Sequence, residues 1–174
     1  MSLNKTIDQL HIDVIELVKR ATGVALVIRS HENGQKPRGE YASILLLNAL
    51  PIGLNATVLE DEDVTDELTE RVQGNVAYTF SVQFYRGEPM SRASILSAFS
   101  QTSAGSEWLL LQNIAMNSVS TPLDSSYSHA EKWIKRCTLN LTLIAGTELT
   151  APLSTIGEVT VVVNDEEQIV IEEP

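Results

Sequence analysis

The side chains with the most chemistry in them crowd one short stretch. "LEDEDVTDELTE", Leu59 to Glu70, places seven carboxylates in twelve positions: Glu60, Asp61, Glu62, Asp63, Asp66, Glu67 and Glu70. No Lys or Arg occurs between Glu40 and Glu70. Carboxylates at this density can hold a hard cation, repel nucleic acid, or stand solvated on a loop tip. An EF-hand loop needs Gly at its sixth position and Glu at its twelfth. Counted from Asp61, those positions hold Asp66 and Val72, so the template fails. A solvated hairpin tip is the simpler reading, ahead of a looser calcium site.

Other chemistry is sparse. His11, His31 and His129 stand at no ligand spacing to one another or to a cysteine. Cys137 lies on the apolar side of an alternating segment and reads as a small buried hydrophobe. There is no Gly-x-Ser-x-Gly elbow and no phosphate-cradling glycine loop. No catalytic, metal or cofactor residues are therefore assigned. The main basic cluster of the second half is Arg86, Arg92, Lys132, Lys135 and Arg136. It is the candidate subunit interface, with the acidic tip of one copy meeting the basic face of the next. Solvated charge without a partner is the plainer alternative. Trp108, Trp133 and Tyr127 are either interface anchors or core and rim residues.

An alternation of helices and strands must position these groups. Ile7, Leu10, Val14, Leu17, Val18 and Ala21 recur at helical spacing, which predicts a helix over about residues 4–21. Asn4 would cap it and Gly23 would stop it. "VALVIRS", Val24 to Ser30, predicts a short strand, and "HENGQKPRGE" is turn chemistry. Tyr41 to Leu50 is apolar on both faces, as in a covered strand, with Pro51 and Gly53 as a bend or bulge. Val76, Tyr78, Phe80, Val82 and Phe84 alternate with smaller or polar residues, a half-buried strand. Joined across the acidic run, these two strands make a long hairpin.

Pro89 opens a helix carrying Ala93, Ile95, Leu96 and Phe99, which ends before Gly105. "SEWLLLQNIAMNSVSTPLD" reads as a helix end or turn, then a strand from Asn113 to Ser120. Cys137, Leu139, Leu141 and Leu143 restore period two, and "EVTVVVNDEEQIVIEEP" supplies one or two C-terminal strands. The expected fold class is α+β: a mixed, mostly antiparallel sheet with a long hairpin, flanked by two α-helices on one face. Residues 1–146 would form the main domain. Residues 147–174 would be a β extension used in contacts with other subunits or partners.

Composition narrows the function. The 174 residues suit one domain with a real core. Acids outnumber bases 23 to 12, for a net charge of −11, which argues against stable binding to DNA, RNA or an anionic membrane. One cysteine permits no intrachain disulfide and fits a reducing compartment. No signal peptide and no apolar run of roughly 20 residues is expected to target or span a membrane. Exposed strand edges must be blunted by charge or used in pairing, so the residues point to an assembling structural protein rather than an enzyme.

Taken in order, the pieces resemble the neck or tail terminator proteins of tailed bacteriophages. The pattern is a helix leading into "ATGVALVIRS", then "KPRGEYASILLLNALPIG", an acidic linker, "VAYTFSVQFYRGE", "SRASILSAFSQT" and "NIAMNSVSTPLDSSYSHAEKWIKRCTLNLTLI". It spans roughly Thr6 to Ile144. The resemblance implies a virion protein of the tail or neck, assembled in the host cytoplasm, with no enzymatic activity and no cofactor. It implies a hexameric homo-oligomeric ring that terminates the tail tube and joins it to the head connector, with the sheath as a further candidate partner. DNA would pass through without specific binding. Another tail component, such as a tail-tube or tail-completion subunit, is the alternative; a small metal-binding or hydrolytic protein is a more distant one.

Overall fold

The computed structural model describes residues 5–30, 37–62, 67–129, 132–152, 159–163 and 167–171. The chain divides into two compact units. The first comprises Met1–Leu54 and Gly74–Thr147, the second Asn55–Gln73 and Glu148–Pro174.

The first unit opens with helix α1, Ile7–Thr22. Its cap is Thr6, whose hydroxyl accepts from the Gln9 N–H at 3.1 Å; Asn4 lies outside the described residues. Gly23 ends the helix at φ +70°, donating its N–H to the Lys19 carbonyl. That left-handed stop favours glycine. Asp8 in the first turn and Lys19 and Arg20 in the last suit the helix dipole. The apolar stripe buries Leu10, Val14, Leu17 and Val18. His11 sits beside it, edge-on to Phe80 at 5.2 Å and bonded through Nδ1 to the Ile7 carbonyl.

The strands that follow are β1 (Val27–Arg29), β2 (Tyr41–Glu62) and β3 (Glu67–Tyr85). Helices α2 (Pro89–Phe99) and α3 (Ser103–Leu111) come next. Then come β4 (Ile114–Val119), β5 (Leu123–Asp124), β6 (Tyr127–His129), β7 (Lys132–Ile134) and β8 (Arg136–Pro152). The main sheet has the order β1-β2-β3-β8-β4, with β5 also paired to β8. β1 runs parallel to β2; β4 and β5 run antiparallel to β8. Four residues separate β2 from β3, a connection that permits only antiparallel pairing. The fold is α+β with a mostly antiparallel mixed sheet.

One sheet face carries the core. Tyr78, Phe80, Val82 and Phe84 from β3 and Cys137, Leu139, Leu141 and Leu143 from β8 point into it, as their period-two spacing requires. α1, α2 through Ala93 and Leu96, and α3 through Leu109 cover the same cluster. Each fully buried Leu, Val or Phe contributes about 1.5–3 kcal/mol relative to exposure.

Two expectations change here. Three helices, not two, occur among the described residues. Gly105, expected as the boundary after α2, lies inside α3, where a Cβ would meet the Phe99 carbonyl oxygen at 2.2 Å. Glycine lets α3 start hard against the end of α2, and Thr102 caps it by accepting from the Gly105 N–H. Further, β2 is not covered on both faces to Leu50. Tyr41, Ala42, Ser43 and Ile44 are buried, but Leu47 and Leu50 are exposed. β1 pairs with β2 only across Ala42–Ile44. β2 continues through Pro51 and Gly53, the latter at φ +72°.

The second unit holds the ends of the long strands together with β9 (Val159–Val163) and β10 (Glu167–Ile171). β9 and β10 form an antiparallel two-stranded sheet, with Val159 opposite Ile171. Arg71 Nε pairs with Glu148 at 3.2 Å. Residue 146, the expected domain boundary, falls inside β8.

Candidate functional site

The cationic residues of the second half meet beside a small hairpin. β6 and β7 pair antiparallel, with Tyr127 opposite Ile134, Ser128 opposite Trp133 and His129 opposite Lys132. Trp133 is 70% exposed, an unusual position for the largest apolar side chain.

Arg86 approaches the hairpin from the end of β3. It adopts φ +64° and Gly87 adopts φ +52°, a paired left-handed step that turns the chain from β3 into α2. The Arg86 N–H donates to the Lys135 carbonyl at 3.0 Å, tying the turn to the segment after β7. The result is a groove of about 690 Å³ lined by Arg86, His129, Lys132, Trp133, Ile134 and Lys135. A smaller adjoining cavity of about 230 Å³ shares Trp133 and Lys135 and reaches Arg136 and Cys137.

Arg136 builds the wall. Its Nε donates to the carbonyl and the hydroxyl of Ser125, each at 3.0 Å, and its guanidinium lies 5.0 Å from the centre of the Tyr127 ring. Asp124 accepts from the Ser126 N–H at 2.9 Å. Hydrogen bonding to Ser126 holds the Asp124 carboxyl below the usual carboxylate range. Burial pushes the Cys137 thiol above its ordinary value. Tyr41 stacks on Tyr85 at 4.6 Å, and burial raises its phenol likewise.

Of the five basic residues singled out from the sequence, the groove brings together Arg86, Lys132 and Lys135, with Arg136 behind them. Arg92 is elsewhere. It donates to Glu40 at 2.9 Å and to the Thr22 carbonyl at 2.7 Å, clamping α1 to the start of β2. Among the described residues no carboxylate lies within ion-pairing distance of Arg86, Lys132, Lys135 or Arg136.

The acidic run is placed by backbone alone. Glu60, Asp61 and Glu62 end β2, while Glu67 and Glu70 stand at the start of β3. Asp63 and Asp66 lie outside the described residues. Among the described residues no three His, Cys, Asp or Glu side chains converge on one point. Asp13 was not singled out from the sequence, yet it is 4% exposed on α1, paired with Lys5 and with Gln9 Nε2 at 3.2 Å. An acid inside an apolar stripe is the only signal that could have revealed it.

A family model described as phage neck terminator protein matches residues 12–168. The chain belongs to that family. The match runs past Gly146 and takes in part of the second unit. No curated protein matches the chain. As a neck terminator family member it is a structural protein of the phage tail or neck, working in contact with other head or tail components.

Proposed function

We propose that copies of this chain close into a ring, a hexamer by the resemblance, at the junction between head and tail. The ring ends the tail tube and joins it to the head connector, and DNA passes through it without being held. The family match over residues 12–168 is the observation that carries this reading. Two features support it. Beyond Ile44 no strand covers the β1-side edge of β2 among the described residues, and Leu47, Leu50 and Leu54 are exposed along it. Such an edge suits pairing between copies. The net charge of −11 suits a conduit that must not grip a polyanion, with repulsion reaching over about a Debye length, ~10 Å at moderate salt. The chain acts by contact and not by catalysis.

Removing the protein during phage assembly is the test. Tails should accumulate without heads and with tube ends unfinished, and adding the purified chain back should restore joining. Normal head joining in its absence would refute the role.

A further inference from the structure

We propose that the Arg86–Lys132–Trp133–Lys135 groove is a docking site for the acidic segment Leu59–Glu70 of a second copy. This rests on the ring reading and names the contact that would propagate it. Three cations line one groove in a chain of net charge −11, and no described carboxylate neutralises them. Elsewhere five of the seven described cations are paired, Lys5 with Asp13, Lys19 with Glu16, Arg29 with Asp8, Arg71 with Glu148 and Arg92 with Glu40, while Arg20 and Arg38 stand singly on the surface among the described residues. Leaving three like charges together opposes folding slightly, so their placement suits an anionic partner.

The groove also states what else the partner carries. Trp133 is 70% exposed, and Ile134 lines the same groove. A bare anion has no use for that area. A carboxylate-rich peptide with interspersed apolar side chains uses both. Leu59–Glu70 has seven acids, with Leu59, Val64 and Leu68 among them. No other stretch of the chain is so acidic over that length. The contact is heterologous: one surface of a copy meets a different surface of the next. Repeated with the right rotation, such contacts close a ring.

The test uses the full chain and a labelled peptide, LEDEDVTDELTE. The peptide should bind the wild-type chain, change the emission of Trp133, and weaken steeply with added salt. Lys132→Glu with Lys135→Glu should lower affinity at least about tenfold. Both lysines are exposed, so the variant should fold, which its thermal melt would verify. A peptide with every acid replaced by its amide should not bind. Equal binding by the reversed-charge variant, equal binding of the amide peptide, or no binding by wild type would each overturn the proposal. So would displacement by inorganic phosphate at the peptide's own concentration, which would mark the groove as a plain anion site. Rings that still assemble from the reversed-charge variant would refute the groove contact and leave the ring standing. Peptide binding by a chain that never assembles would do the reverse.

Discussion

The helix-covered face of the sheet and the groove beside β6 and β7 handle apolar area and charge in opposite ways. In the core, Phe80, Leu139, Leu141 and Leu143 are wholly buried, and the one buried acid among the described residues, Asp13, is held by Lys5 and Gln9. In the groove, Trp133 faces solvent and three cations stand without a described carboxylate. The first arrangement buries its apolar area and pairs its buried acid within the chain, which is what stability requires. The second leaves demands that another molecule can meet, which is what assembly requires.

Substitutions on the two sides should therefore separate cleanly. Phe80→Ala leaves a cavity under α1 and should cost about 3–5 kcal/mol in denaturant unfolding, the largest effect expected. Asp13→Ala strands Lys5 near the core and should cost about 2–3 kcal/mol, less than a wholly buried pair because Lys5 keeps some water. Cys137 offers a kinetic check. Its folded thiol pKa is raised, so the neutral form is favoured: that stabilisation is complete below the ordinary thiol value of about 8.5 and is lost as pH rises through the higher folded one. At about pH 8 the folded chain should react with iodoacetamide far more slowly than the urea-unfolded chain. Trp133→Ala should change unfolding free energy by less than about 0.5 kcal/mol, yet remove the binding of the acidic peptide. A large loss of stability there would erase the distinction between the two regions.

Legibility from sequence followed the same division. The alternation of β3 and β8 and the stripe of α1 are one-dimensional records of a single buried face, and they placed the core correctly except at Ile7, which begins the helix 51% exposed. α3 was obscured because Trp108, Leu109, Leu110 and Leu111 are consecutive and apolar, without helical spacing; only Leu109 is buried. The strands β5, β6 and β7 have two or three residues each, too short for a period to register. The basic residues were visible, but their sorting was not. Arg92 finds Glu40 across 52 residues of sequence, and Arg86 meets Lys135 only because β3 neighbours β8.

The most direct measurement of the central claim is a cryo-electron reconstruction of the intact neck. The chain should occupy a single closed ring at the head-proximal end of the tube, with residues 60–70 against an adjacent subunit. Copies stacked along the whole tube, or an isolated subunit folding residues 60–70 around a cation, would contradict it.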